Sequence, residues 1–295
     1  MATLAEVARG VQQRLEAVKD VAPREGRALV LHVIQLEDDA SISLNSLRFN
    51  DEYLTALEHA VARRLAGEPL QYIVGHAWFY GRRFEVSPAV LIPRPDTEVL
   101  VEACLEVLPV ASSGRVLELG VGSGCLGATL LAERAGVGYV GVEIEAAAAE
   151  VARRNIMSHI AHYANPPQWE VRVEDGLDGV TDGPYDLLVS NPPYVTEAEW
   201  AALEPDVRDF EPKVALTGGV ANPDGLRFYH QLAHGGARLL RSGGWLCLET
   251  GWQQAPAVQK LLEEHNDSTG TAAWHNITIR QDLAGRGRVV CAQRR

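Results

Sequence analysis

The chain is 295 residues long, which suits two domains of ordinary size. Its 46% hydrophobic and 22% charged residues are a globular composition, and a net charge of −12 argues against a protein that works by coating a nucleic-acid backbone. Four scattered cysteines without a CxxC pair read as reduced core thiols, and no stretch resembles a signal-peptide core or approaches the roughly 20 apolar residues of a membrane span, so a cytoplasmic protein without a membrane partner is expected.

Residues 1–75 read as helices only. Leu4, Val7, Val11, Leu15 and Val18 recur at helical spacing, and "NDEYLTALEHAVARRLAGEP" supplies a cap at Asn50 or Asp51, a periodic stripe and a Gly-Pro stop. This small helical domain shows no catalytic-looking cluster, so binding is its expected role. Aromatic and β-branched residues around Gly75 and Gly81 in "YIVGHAWFYGRRFEVSPAVLIPRPDTE" predict a β-hairpin and then a Pro-rich joint. Residues 76–92 form this linker, with the domain boundary near residue 90.

From Gly114 onward, within a second domain of residues 93–295, the pattern becomes α/β. "RVLEL", "GYVGVEI", "WEVRVED", "YDLLVSN", "GGWLCLET", "HNITIRQ" and "RGRVVCA" predict seven strands. "GCLGATLLAERA", "EAAAAEVARRNIMSH", "DGLRFYHQLAHGGARLLRS" and "QQAPAVQKLLEEH" predict helices among them. Such alternation implies a mainly parallel, doubly wound sheet with helices on both faces. The last two strands have no helix between them and are expected to pair as an antiparallel hairpin. "AHYANPPQ" (161–168) reads as an exposed loop, and its Asn-Pro-Pro follows no hydrophobic strand.

The first strand runs into "GVGSG", which places Gly120, Gly122 and Gly124 before a helix, with Val121 and Ser123 between them. Glycines there let the backbone turn sharply and approach a ligand closely. Glu143 ends the second strand, where an acid can accept hydrogen bonds from ribose hydroxyls. The loop lacks the Lys and Ser/Thr of a phosphate-binding loop, so a nucleotide without phosphates fits better. The combination suggests S-adenosylmethionine, leaving S-adenosylhomocysteine as product. Asp175, beside Gly176 after the third strand, is a candidate acceptor for the adenine amino group, with an ordinary turn Asp as the alternative.

The fourth strand ends in Asn191-Pro192-Pro193-Tyr194, at the carboxyl edge where doubly wound sheets bind ligands. A residue before proline is pushed to extended geometry, so Asn191 projects in a defined direction. Prolines have no N–H, so the segment offers acceptors: the Asn191 side-chain oxygen and the Pro192 carbonyl. Two fixed acceptors suit a planar –NH2, whose delocalised lone pair must be freed before it can attack a sulfonium methyl. Tyr194 is placed to stack on the planar group. Asn191, Pro192 and Tyr194 are therefore the catalytic candidates, Asn191 to Tyr194 the substrate-binding segment, and no metal is expected.

"SNPPY" behind the glycine loop resembles the N-P-P-Y methyltransferases that modify planar nitrogens. "EPLQYIVG", "FEVSPAVLIPRPDTE", "DVRDFEPKVAL", "DGLRFYHQL" and "LETGWQQ" are similar to one branch, the release factor glutamine methyltransferases (PrmC/HemK family), over nearly the whole chain from about residue 50. The resemblance implies a class I S-adenosylmethionine-dependent methyltransferase fold and N5-methylation of the glutamine in the Gly-Gly-Gln motif of class I peptide chain release factors. It implies that Gly120, Val121, Gly122, Ser123, Gly124, Glu143, Asp175, Gly176 and Asn191 hold the cofactor, and Asn191, Pro192, Pro193 and Tyr194 the glutamine amide. It also brings Pro95, Thr97 and Glu98 near the methionine end of the cofactor, and Phe210, Glu211 and Pro212 to the substrate mouth. A monomer with no direct nucleic-acid contact is expected. Asp96 stands where the family commonly has Glu, Glu118 and Glu143 where Asp is common, and Gly176 where some members carry an aromatic.

Two rival acceptors share the tetrapeptide. An adenine-N6 DNA methyltransferase would need basic surface to hold phosphates, and Lys plus Arg total 27 against 39 acidic residues. A ribosomal-protein glutamine is the other. A cofactor-binding protein without catalysis would have little use for Asn191 and Tyr194.

Overall fold

The computed structural model describes residues 2–16, 18, 21–36, 43–108 and 113–295. The chain divides into two compact units: Met1–His76 with Glu204–Phe210, and Ala77–Leu203 with Glu211–Arg295.

The smaller unit is built from helices Leu4–Leu15, Glu25–Val33, Leu54–Leu65 and Leu70–Val74, to which Pro205–Phe210 is added from far along the chain. Thr3 starts the first helix with a capping box: its hydroxyl accepts the Glu6 N–H, and the Glu6 carboxylate accepts the Thr3 N–H. Leu4, Val11 and Leu15 bury against Leu29, Val30, Leu57, Val61 and Ile73, while Val7 is half-buried beside them. The helices Leu4–Leu15 and Glu25–Val33 meet at Gly26, where a Cβ would lie 2.4 Å from the Ala8 carbonyl oxygen, so only glycine fits. Asn50, one of the two expected caps, closes a 3₁₀ turn by accepting the Glu52 N–H at 3.2 Å, and the helix follows it. Arg64 and Glu25 form a buried pair, Nε to Oε2 at 2.7 Å and Nη2 to Oε1 at 3.3 Å.

The larger unit contains, from Ala77 on, a hairpin of β1 (His76–Phe79) and β2 (Arg82–Glu85), turning through Tyr80 and Gly81, both at positive φ as a two-residue hairpin requires. Phe79 and Phe84 enter the core of this unit.

The main sheet has seven strands: β3 (Arg115–Leu119), β4 (Gly138–Glu143), β5 (Trp169–Val173), β6 (Tyr185–Ser190), β7 (Leu240–Glu249), β8 (Trp274–Gln281) and β9 (Gly287–Arg294). Their order is β5-β4-β3-β6-β7-β9-β8, parallel except for β9, which pairs antiparallel with both neighbours. One core layer packs the hairpin and the helices Thr97–Val107, Cys125–Glu133 and Ala146–Ile160 on the sheet. The other packs Arg227–Leu239 and Ala255–Glu264 on the opposite face.

The seven predicted strands and the four helices predicted among them are found, and two differences bear on the site. Thr97–Val107 is a helix hidden in sequence behind the Pro-rich joint; its Leu100, Val101, Ala103 and Cys104 are buried at helical spacing. The helix expected to run to Ser242 ends at Leu239, because Leu240 already pairs with Tyr185 in the sheet.

The strand order reverses between β3 and β6, and this fixes the site. Leu119 and Ser190 are register partners at the carboxyl ends of those strands, tied by the Ser190 hydroxyl donating to the Leu119 carbonyl at 2.7 Å. Gly120 and Asn191, 71 positions apart in sequence, therefore leave the sheet side by side at its switch point.

Candidate active site

Beyond β3 the chain turns through Gly120, Gly122 and Gly124 at φ of 75°, 56° and 77°, a region that side-chain-bearing residues rarely adopt. A Cβ on Gly120 or Gly122 would touch nothing within 4 Å, since both face a cavity of about 280 Å³. Gly124 serves packing instead: a Cβ there would lie 2.9 Å from Cα of Ala152. Asn155, on the same helix as Ala152, steadies the loop. Its amide donates to the Ser123 and Glu85 carbonyls at 2.8 and 2.9 Å, and its oxygen accepts the Glu85 N–H at 2.8 Å.

Glu143 ends β4 with its carboxylate buried against the loop. Oε2 accepts the Gly122 N–H at 2.8 Å and Oε1 the Glu145 N–H at 3.0 Å. Both oxygens keep lone pairs, and Glu143 lines the cavity beside Ile144, an apolar side chain 49% exposed. A fixed acid beside an exposed aliphatic surface, with no cation for a phosphate in the glycine loop, is a donor set for a nucleoside. Asp175 and Gly176 line the same cavity, Asp175 exposed. Its neighbour Glu174 lines it too and carries a buried Oε2 without a hydrogen-bond partner.

Across the cavity Asn191, Pro192 and Pro193 follow β6. The Asn191 amide nitrogen donates to the Thr97 hydroxyl at 3.3 Å, which leaves Oδ1 as the free end of the amide. The Pro193 carbonyl accepts from Asn222 at 3.5 Å and the Tyr194 carbonyl from Gln254 at 3.1 Å, while the Pro192 carbonyl takes no donor among the described residues. Gln254 comes so close that Gly225 opposite it has no room for a Cβ, which would lie 2.1 Å from Nε2.

Two buried carboxyls stand behind these loops. Glu118, on β3, is pushed up to about 8 by burial, against a 2.6 Å hydrogen bond from the Tyr139 hydroxyl and with the Glu143 charge adding to the rise. Tyr139 reaches it only because Gly127 and Gly141 leave space; a Cβ on either would lie 2.5 or 2.7 Å from the phenol oxygen. Glu249, at the end of β7, is pushed up to about 7, again mainly by burial. Two raised carboxyls beside the glycine loop and the Asn-Pro-Pro segment make this edge of the sheet a candidate functional region.

The fold thus gathers Gly120, Val121, Gly122, Ser123, Glu143, Asp175, Gly176, Asn191, Pro192 and Pro193 around one cavity. Gly124 and Tyr194 are not on its wall. Tyr194 is half-buried beside Glu249 and Gly251, and burial pushes its phenol upward. Of the Pro-rich joint, Thr97 reaches the cavity, Pro95 is exposed, and Glu98 accepts the Tyr80 N–H at 2.8 Å. Phe210 belongs to the helical unit. Glu211 is buried in the larger one, holding the Ile92 N–H at 3.1 Å and the Arg94 guanidinium at 2.5 Å, and Pro212 lines the cavity. Sequence reasoning assigned no role to Glu174 or Glu249. A carboxylate closing a hydrophobic strand was the available signal for both, as it was for Glu143. Among the described residues no acid–His–Cys cluster suits a metal ion, and no helix is long and apolar enough to cross a membrane.

The family models and the curated relatives point to one family. The PrmC N-terminal domain model matches residues 6–75 and the methyltransferase small domain model residues 96–204. The release factor glutamine methyltransferase of Koribacter versatilis is 37% identical over 298 residues, covering 99% of each chain. That of Nitratidesulfovibrio vulgaris is 38% identical over 296 residues, covering 99% of this chain and 96% of its own. Among solved structures, a methyltransferase from Pyrococcus furiosus superposes with a TM-score of 0.51 at 15% identity, over 80% of this chain and 98% of its own, a likeness of fold.

Proposed function

Because the chain belongs to the release factor glutamine methyltransferase family, we propose that it transfers a methyl group from S-adenosylmethionine to the N5 amide nitrogen of the glutamine in the Gly-Gly-Gln motif of class I peptide chain release factors. The observation that carries this reading is the orientation of Asn191. Its nitrogen is engaged by Thr97, which leaves its oxygen, together with the Pro192 carbonyl, as two acceptors that take no donor among the described residues, on two residues that line the cavity. That corner accepts both hydrogens of a primary amide and rejects a hydroxyl, which has only one to give.

The residues around the cavity fit the cofactor. Gly120 and Gly122 leave the cradle open where any side chain would fill it, Glu143 accepts the ribose hydroxyls, and Ile144 offers an apolar face to the adenine. Glu174 and Asp175 are the acceptors for its amino group. S-adenosylmethionine, when bound, supplies an electrophilic sulfonium methyl. Asn191 and Pro192 hold the glutamine nitrogen so that its lone pair leaves conjugation with the carbonyl and points across the cavity. Transfer forms one N–C bond, breaks one S–C bond and releases one amide proton. The proton leaves after the methyl arrives, because the methylated nitrogen is then cationic and strongly acidic. This is consistent with an amide rather than a carboxylate at position 191. Tyr194, set back from the wall, acts by backing the tetrapeptide rather than by covering the glutamine plane.

On this reading the enzyme works as a monomer in the cytoplasm, and the helical unit binds the body of the protein substrate. The test is a transfer assay with isotopically labelled S-adenosylmethionine, offering a class I release factor, a ribosomal-protein extract and duplex DNA separately. Label on the Gly-Gly-Gln glutamine is expected. Label on a ribosomal protein or on DNA alone would keep the chemistry of Asn191 and overturn the substrate.

A further inference from the structure

Glu249 lies deeper than anything the reaction described above uses, and one of its oxygens, Oε2, is buried without a hydrogen-bond partner. Its place is set by the sheet. β6 and β7 run parallel with Ser190 and Leu248 as register partners, so the next residue on each strand, Asn191 and Glu249, emerge together. Thr97, at the start of the helix Thr97–Val107, closes the group: the Asn191 nitrogen donates to its hydroxyl oxygen at 3.3 Å, and the Thr97 and Asn191 side chains both act on the Glu249 carboxyl.

A threonine hydroxyl has one proton and two lone pairs. While it accepts from Asn191, its own proton is free for the carboxylate, which, ionised, can only accept. An ionised Glu249 therefore dictates the direction of the whole chain: Asn191 N–H to Thr97 O, Thr97 O–H to Glu249. It also takes the remaining inward pull on the Asn191 nitrogen. The reversed amide, with Oδ1 inward and nitrogen toward the cavity, would set an N–H against the glutamine –NH2. A protonated Glu249 donates instead, and the polarity of the chain is no longer enforced.

We propose that Glu249 is the positioning residue of the amide site: through Thr97 it locks the Asn191 side chain with its oxygen facing the substrate, and in its ionised form it strengthens that oxygen as an acceptor. This rests on the proposed glutamine chemistry for its consequence in turnover; the locking itself is argued from the Asn191–Thr97 hydrogen bond and from the register that brings Glu249 beside Asn191.

The charged and titratable groups around Glu249 make the lock sensitive to pH. Burial raises its carboxyl to about 7; Asp96 raises it further, while hydrogen bonding from Thr97, the Arg288 charge and Asn191 act against this. Arg288 is already held by Asp96 at 2.8 Å and Asp282 at 3.1 Å, so it compensates only in part. The remaining facing groups, Tyr194, Tyr229 and Cys125, stay neutral over the working range, all raised chiefly by burial. The carboxylate form thus dominates above about 7 and is lost as pH falls through it.

The experiment uses the full chain in wild-type, E249Q, T97V and T97S forms between roughly pH 5.5 and 9, a span centred on the shifted carboxyl. Turnover on a class I release factor is measured with S-adenosylmethionine affinity, and the Asn191 side-chain amide protons are followed by nitrogen-edited NMR. Wild-type turnover is expected to fall about tenfold per unit below pH 7, with cofactor affinity changed less than about twofold, and the Asn191 amide signals should move with the same midpoint. E249Q should lose roughly tenfold to a hundredfold in kcat at pH 8, the scale of a hydrogen bond to a charged group, and lose both the acid limb and the amide titration. T97V should behave alike, and T97S should restore the titration that T97V removes. E249Q that keeps wild-type kcat at pH 8, or whose Asn191 signals still titrate near 7, overturns the proposal. If glutamine proves not to be the acceptor, the NMR titration alone decides whether Glu249 governs Asn191.

Discussion

The two units bury carboxylates in opposite ways. In the helical unit Glu25 meets Arg64 in a two-pronged ion pair, both side chains 7% exposed or less. In the sheet unit Glu118 and Glu249 are buried without a cation of their own, and burial lifts them to about 8 and about 7. A buried charge that is paired stabilises one arrangement of helices. A buried acid left without a cation costs stability, and a fold retains it where something else depends on it. The contrast separates a unit organised for shape from one organised for chemistry.

The largest effect expected on this comparison comes from breaking the paired charge. Arg64→Met should destabilise the helical unit by about 3–5 kcal/mol by stranding Glu25, and adding Glu25→Leu should recover most of it. Urea unfolding checks both. If that unit binds the protein substrate, Arg64→Met should depress turnover on a whole release factor far more than on a short Gly-Gly-Gln peptide; equal loss on both would deny the role.

Next comes the pH dependence of stability. The two under-partnered carboxyls have native values above the ordinary 4.5, so between 4.5 and about 8 the native state holds more protons than the unfolded state. Their contribution is complete below 4.5 and is lost as pH rises through about 7 and then 8, on the order of a few kcal/mol in all. His32, His159 and His265 are lowered by burial and act in the opposite direction at more acid pH, so the comparison is made against Glu118→Gln/Glu249→Gln. The double variant should gain on wild type as pH rises from 6 to 9 in denaturant midpoints, a range chosen to bracket both shifted carboxyls. Parallel curves would mean that these acids carry no such burden.

What could be read from the sequence was whatever is local. The glycine loop, Glu143 and Asn191-Pro192-Pro193 announce themselves because each motif sits directly on the strand that aims it, and hydrophobic runs with intervening helical periodicity reveal the parallel sheet. The partners of those motifs come from elsewhere. Thr97 reaches Asn191 from a helix masked by prolines, and Glu249 reaches it only because β7 pairs with β6 in one register. Tyr194 was expected to stack on a planar substrate group, and its ring lies against Gly251, a neighbour that belongs to the loop after β7 and that the motif itself does not reveal. Phe210 falls with the helical unit although its chain neighbours Glu211 and Pro212 do not, a division that no local pattern marks.

The central claim is that Asn191 holds the reacting amide and does little for the cofactor. Its most direct test is Asn191→Ala, comparing single-turnover methylation of a class I release factor with S-adenosylmethionine affinity by calorimetry. Turnover is expected to fall by about 10³, the scale of losing a preorganised group at the reacting centre, while cofactor affinity changes by less than about threefold. Methylation that persists near the wild-type rate, or a loss explained wholly by weaker cofactor binding, would contradict the account.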